Sequence, residues 1–349
     1  MTILLYGAYG YTGRLIAEEL KKQGLDAVLA GRREKPLQEM ANEYGWEYKA
    51  FDLSDKETLE GTLHQVPLVI HAAGPFIHTA QPMIDACLVT QTHYLDITGE
   101  IPVFEMAARY DDQAKAAGLV VMPGTGFDVV PTDCAARYLK DQLPEAIDLQ
   151  LAFASAGGGF SRGTAKTMVE NLGKGGAIRK DGQIITVKDA YAGRTIPFMD
   201  KDRFAMTIPW GDVSTAYHTT GIPNIKVYMS THPKTFKRLR RMRFLNWLLK
   251  TELVKKRLRK RIDQRPAGPD AEDRQNSNMY IWGQATAPDG STREVQLKTP
   301  SGYELTAMAS VHIAKRVLDH EVDAGFHTPA GAFGADLIMK FKGVERREL

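Results

Sequence analysis

Near the start of the chain Gly7, Gly10 and Gly13 frame Tyr9, Tyr11 and Thr12 in a GxxGxxG pattern, the residue types that bring backbone amides up to a phosphate. Gly7 allows a tight turn, Gly10 lets the backbone approach a pyrophosphate, and Gly13 lets the following helix pack closely on a sheet. Glycine turns are common, so the pattern alone says little. Its place between an apolar run, Ile3 to Tyr6, and an amphipathic stretch with Leu15, Ile16 and Leu20 on one face makes it a dinucleotide site. A second apolar run, Ala27 to Ala30, ends in Gly31, Arg32 and Arg33. An acid at that point would hold a ribose 2′-hydroxyl. Two guanidinium groups instead suit the 2′-phosphate of NADP, although Glu34 follows them directly.

Further chemistry-bearing residues stand where later apolar runs end. Asp52 suits the adenine amino group, and Ala73, Gly74 and Pro75 form a turn that presents backbone to a cofactor without side-chain obstruction. Gly99 and Asp128 lie in the turns Asp96 to Glu100 and Pro123 to Asp128; Gly99 joins the cofactor set and Asp128 the catalytic candidates. Each of these is also an ordinary loop residue, and it is the four ends taken together that point to a ligand.

A second glycine-rich stretch, Gly157 to Lys166, includes Gly158 and carries Arg162 and Lys166 at a predicted strand-to-helix junction. Consecutive amides with two cations would bind a carboxylate, phosphate or thioester oxygen; the plain alternative is a hinge with incidental charges. Lys166 and His218 are the candidate proton donors, His218 sitting in TAYHTTGIP, which reads as a strand. No tyrosine is followed four residues later by lysine, so the Tyr-x-x-x-Lys device of short-chain dehydrogenases is absent.

The elements that must position these groups are legible from periodicity. Runs at 47–51, 66–71, 93–97 and 119–122 alternate with helical stretches, which implies a parallel, doubly wound sheet. Alternating apolar residues at 146–154, with strand-like runs at 184–187, 225–229, 279–286 and 292–298, imply a second, mostly antiparallel sheet; Pro288 to Ser291 reads as a hairpin turn. A helix is expected over 305–318. The expected architecture is α/β: a Rossmann domain over 1–127, a second α+β domain over 128–303, and a return to the first domain over 304–349.

At 349 residues, 43% hydrophobic and a net charge of +3, the chain can bury two cores and carries no global field to recruit nucleic acid. Cys87 and Cys134 lie in apolar contexts and read as reduced thiols. No signal peptide and no bilayer-length apolar run are evident, so a cytoplasmic protein is expected. One segment stands apart. Residues 234–262 combine Lys237, Arg238, Arg240, Arg241 and Lys255 to Arg257 with Trp247 and an apolar row, Met242, Leu245, Leu249 and Leu253; Leu248 adds to it. Such a stretch suits an anionic membrane surface or an acidic carrier protein; the plain alternative is a surface helix pair whose apolar side caps the second domain or makes a contact within a homodimer.

The segments GAYGYTGRLIAEEL, HAAGPF, HYLDITGE, GFDVVPTD and GFHTPAGAFG, in this order, resemble the saccharopine dehydrogenase-like oxidoreductases, including their trans-acting enoyl reductase branch. The resemblance implies the two-domain architecture, an NADP-linked hydride transfer, and a small-molecule or acyl-chain substrate carrying an enoyl double bond or an imine. A non-catalytic NADPH-binding redox sensor and a membrane-associated scaffold are the alternatives.

Overall fold

Four apolar residues in succession, Ile3 to Tyr6, are what a strand needs when both faces of its sheet are covered, and all four are buried. In the computed structural model, which describes residues 2–157 and 159–349, they form β1 (Thr2–Tyr6) at the centre of a sheet. Gly158 and the side chains of Leu245 and Leu248, all singled out above, lie outside the described residues. After β1 come α1 (Tyr11–Lys22), β2 (Asp26–Gly31), α2 (Glu34–Tyr44), β3 (Tyr48–Ala50), α3 (Lys56–Leu63), β4 (Leu68–His71) and α4 (Phe76–Thr90). Then follow β5 (His93–Asp96), α5 (Ile101–Ala107), α6 (Asp111–Ala117), β6 (Val120–Met122) and α7 (Val130–Gln142).

The next stretch builds a different sheet. It contains β7 (Asp148–Ala156), α8 (Arg162–Asn171), β8 (Gly176–Lys180), β9 (Gln183–Val187), β10 (Gly193–Pro197), β11 (Asp202–Thr207), α9 (Asp212–Thr220) and β12 (Asn224–Ser230). The basic segment folds as α10 (Pro233–Met242), a single tighter turn, α11 (Asn246–Leu249) and α12 (Glu252–Asp263). After α13 (Ala271–Gln275), β13 (Asn278–Thr286) and β14 (Thr292–Pro300) form the expected hairpin, with Gly290 at a left-handed φ of +87° in its turn. The chain ends with α14 (Gly302–Leu318), β15 (Gly325–Phe326), α15 (Pro329–Phe333) and β16 (Glu345–Glu348).

Two compact units result: Met1–Val130 with Tyr303–Ala332, and Pro131–Gly302 with Phe333–Leu349. The first holds a seven-stranded parallel sheet in the order β15-β6-β5-β4-β1-β2-β3, so strand order reverses between β1 and β4. The second holds a nine-stranded sheet, β10-β11-β12-β7-β13-β14-β16 with β8 and β9 at its side; among the described residues only β7 and β12 pair in parallel. Cys87 and Cys134 are free and buried.

Three differences from the sequence reading have physical causes. The return to the first unit covers 303–332 alone, because β16 leaves it and pairs with β14, where Lys298 meets Glu345 at 2.8 Å. A strand reading ERRE has no apolar alternation to announce it. The TAYHTT part of TAYHTTGIP lies in the helix α9, with Val213, Ala216 and Thr220 buried at helical spacing and Gly221 closing the helix. Finally, the apolar row of the basic segment is cut into three helices, which leaves Leu253 77% exposed.

Candidate nucleotide and catalytic site

Ligands of doubly wound sheets sit beyond the carboxyl ends of the strands where the order reverses, here the ends of β1 and β4. Gly7 leaves β1 at a φ of +88°, and a side chain there would lie 2.8 Å from the Ala72 carbonyl carbon and 2.9 Å from Cβ of Ala73. The two loops therefore touch through backbone. Gly13 faces the Gly7 carbonyl so closely that any Cβ would run into it and would lie 2.7 Å from that of Ala8. Gly10 is the N-cap of α1, with no side-chain cap and no acid in the first turn, so the positive end of the helix is left for an anion. Tyr11 packs edge-on against Tyr303 at 4.9 Å, and Thr12 follows it in the first turn.

Tyr9 links this turn to the end of β2. Gly31 accommodates its ring, since a Cβ there would be 2.8 Å from Tyr9 Cε1, and the Arg33 guanidinium lies 4.6 Å from the ring centroid. Arg32 and Arg33 are exposed, and Arg32 lies near enough to Asp52 to help hold its carboxyl below the usual range. The larger cause is Ser54, which donates its amide at 3.1 Å and its hydroxyl at 2.9 Å to Asp52 Oδ1. Asp52 is thus a fixed carboxylate at the rim, next to the cations.

The ends of β4, β5 and β6 carry the groups that the sequence left unranked. His71, the last residue of β4, is fully buried, and burial pushes its pKa down to about 3. The Thr79 hydroxyl donates to the Ala73 carbonyl at 2.8 Å, so its oxygen accepts from His71 Nε2 at 3.0 Å. Nδ1 has no partner among the described residues. His71 is therefore a neutral strut under the Ala73-Gly74-Pro75 turn, where the Gly74–Pro75 peptide is cis.

Glu100 caps the helix that follows this turn: its carboxylate accepts from the amides of Phe76 at 2.8 Å and Ile77 at 3.1 Å. Asp96, fully buried, accepts from the Tyr94 hydroxyl at 2.6 Å and from the amides of Thr98 and Gly124 at 2.9 Å each. Burial outweighs these bonds and raises its pKa to about 6. Asp128 lies against Gly99, where a Cβ would be 2.8 Å from its Oδ2. Burial first, and the Glu100 charge second, raise its pKa to about 7. An acid poised near neutrality at the strand ends can give or take a proton. The sequence placed Asp96 and Glu100 in the turn after the fifth apolar run without giving either a role, and signalled His71 only by its place at the end of LVIH.

The remaining candidates belong to the second unit. Ser161 caps α8 by accepting from the Thr164 amide at 3.2 Å, and the Arg162 amide donates to the Ala267 carbonyl at 2.9 Å. Two donors that the sequence reading gave to an anion are thus already engaged. Lys166 pairs with Asp263 at 2.6 Å and Arg162 reaches the Asp263 carbonyl at 3.3 Å, so both fasten α8 to α12. Arg259 on Glu170 at 2.6 Å does the same. His218 stands apart from them on α9, beside Tyr217.

A glycine turn at the switch point of a seven-stranded parallel sheet, with cations at the end of β2, defines a nucleotide-binding Rossmann domain. Residues 3–122, within the first unit, match the saccharopine dehydrogenase NADP binding domain. A trans-acting enoyl reductase of Mycobacterium leprae is 32% identical over 166 residues, 44% of this chain and 40% of that protein. A lipid droplet localized protein of Caenorhabditis elegans is 29% identical over 203 residues, 51% of this chain and 48% of that protein. The chain spans about half the length of the curated relatives it matches. Saccharopine dehydrogenase of Saccharomyces cerevisiae shares the fold at a TM-score of 0.70 and 14% identity, covering 100% of this chain and 99% of that one. Among the described residues no helix is long and apolar enough to cross a membrane.

Proposed function

We infer that the chain is an NADP-dependent oxidoreductase acting on an enoyl or imine substrate, with Asp128 as the proton-handling group. The observation that carries this reading is the meeting of the Gly7 turn with Ala72 and Ala73 at the switch point, together with an acid against Gly99, Asp128, whose pKa is raised to about 7. NADP fits the residues present. The Gly10–Gly13 backbone would receive the pyrophosphate, Arg32 and Arg33 the 2′-phosphate, Tyr9 and Asp52 the adenosine end, and Ala73 to Pro75 with Gly99 the nicotinamide end. When bound, the cofactor supplies a hydride equivalent to an electron-poor carbon. The chain's own part is to orient that carbon, exclude water, and deliver a proton from the Asp128 carboxyl to the charge that develops. The name of the mycobacterial relative supports the enoyl substrate.

A cytoplasmic enzyme that works at a membrane surface through residues 234–262 completes the reading. Phe244, Trp247 and Leu253, exposed by 74%, 70% and 77%, support it, as does the name of the lipid droplet relative. The test is loss of NADPH absorbance on mixing the protein with an enoyl thioester or a cyclic imine. Consumption with either fixes the class; binding of NADPH without consumption of it by either compound would make the chain a nucleotide sensor.

A further inference from the structure

Two left-handed glycines build a hollow in the second unit that the oxidoreductase site does not use. Gly173 and Gly175 have φ of +77° and +91°; a Cβ on the first would lie 2.8 Å from the Asn246 carbonyl, and on the second 2.8 Å from that of Val187. Only bare backbone lets this turn sit so tightly between α11 and the end of β9. It leaves a groove of about 660 Å³ whose rim carries Lys174, Lys188, Arg243 and Lys250. Arg243 is aimed by its own bonds, Nε donating to the Asp189 carbonyl at 2.6 Å and Nη2 to that of Ala190 at 2.7 Å. The Asp189 carboxylate is turned to the amide of Asn246.

Further along the basic segment Lys255 and Arg259 are paired with Glu170 and Glu252. None of the four groove cations has a carboxylate within 4.0 Å among the described residues. Four like charges around one hollow repel one another, and an anion drawn between them relieves the repulsion. A phosphate monoester, with nearly two negative charges and three acceptor oxygens, suits them better than a singly charged diester or carboxylate.

Position on the chain selects the source of that phosphate. Arg243, Asn246 and Lys250 recur at helical spacing along the groove, and one position further on Phe244 and Trp247 repeat the same spacing on the adjoining face, both exposed. Exposed aromatics beside cations are what an interfacial segment offers to a bilayer. We propose that the Gly173–Lys250 groove binds the phosphate monoester head group of an anionic lipid while Phe244 and Trp247 enter the bilayer surface. This rests on the membrane-facing reading of residues 234–262.

The test is vesicle co-sedimentation of the full chain with phosphatidylcholine carrying either phosphatidic acid, a monoester, or phosphatidylglycerol, a diester, at matched surface charge. The wild type is expected to favour phosphatidic acid about tenfold, as doubled charge-assisted bonding allows. Lys188→Ala with Lys250→Ala should abolish the preference. Arg238→Ala with Arg241→Ala, outside the groove, should weaken both bindings alike and keep it. Equal binding of both lipids by the wild type, or a preference that survives in the groove variant, would overturn the head-group site and leave the membrane reading standing. No binding to either vesicle would remove both. Inorganic phosphate that binds the groove with no vesicle binding would assign it to a soluble ligand and overturn the lipid. NADPH titration of each variant verifies that the chain is folded.

Discussion

At the scale of single residues the cofactor preference rests on Arg32 and Arg33, which stand at the end of β2 with Arg33 held over Tyr9. A hydrogen bond to a charged group contributes about 1.5–3 kcal/mol, so Arg32→Ala with Arg33→Ala should weaken NADPH by at least ~tenfold and leave NADH unchanged. Calorimetry with both nucleotides reads this directly; an unchanged NADPH affinity would take the 2′-phosphate away from the arginines. Asp128 carries a different expectation. Its pKa is raised to about 7, so the protonated form that can donate is lost as pH rises through that value, and the rate of substrate reduction should fall above it. Asp128→Asn should leave a lower rate without that alkaline limb. If the limb persisted in the variant, the titrating donor would be another group.

At the scale of elements the glycine turn is a packing device before it is a binding device. In Gly13→Ala the new methyl group would meet the carbonyls of Gly7 and Ala8, forcing α1 off β1, whereas at Gly24, φ +69°, a methyl group meets nothing within 4 Å. Gly13→Ala should therefore cost both NADPH affinity and roughly 1–3 kcal/mol of stability, while Gly24→Ala costs about 1–2 kcal/mol from backbone strain alone and leaves affinity intact. Thermal melts with and without NADPH separate the two. The same logic governs α4: Glu100 supplies two acceptors to its first amides, so the helix is held to the end of β5 by a charge and not by a cap of its own. In the second unit α8 and α12 are joined through Lys166, Asp263, Arg259 and Glu170, which turns an apparent anion loop into a helix seam.

For the molecule as a whole, buried ionisable groups make stability depend on pH in opposed ways. His71 titrates near 3 when folded against an ordinary 6.5; its contribution is complete above 6.5 and is lost as pH falls towards 3, because the unfolded chain takes up a proton that the folded one refuses. Asp96 and Asp128 are raised from 3.8 to about 6 and about 7; their contributions are complete below 3.8 and lost as pH rises through those values. Between 4 and 6 the unfolded state gains one proton at His71 while the folded state keeps two on the acids, so these groups together favour the folded chain at lower pH. His71→Gln should remove the opposing part, so that on acidification from 6.5 the variant loses less stability in urea, or gains more, than the wild type does. Parallel curves for the two would show that His71 is not held neutral.

What the sequence determined by itself was whatever is local. Strand, glycine turn and helix follow one another within about twenty residues, so periodicity and the special freedom of glycine were enough to read the Rossmann domain, its turn and the two arginines. The resemblance carried by HYLDITGE and GFDVVPTD reached the second domain in outline. Tertiary structure decided the rest, because it depends on residues far apart in the chain. Asp128 lies against Gly99 and Glu100 only once β5 and β6 are side by side, and that burial is what moves its pKa. Lys166 meets Asp263 across 97 positions, 263 less 166, and β16 finds β14 with no apolar pattern to guide it. The hollow between Gly173 and Lys250 is visible in no window of sequence, since its charges come from three separate segments and only the fold holds them together against their repulsion.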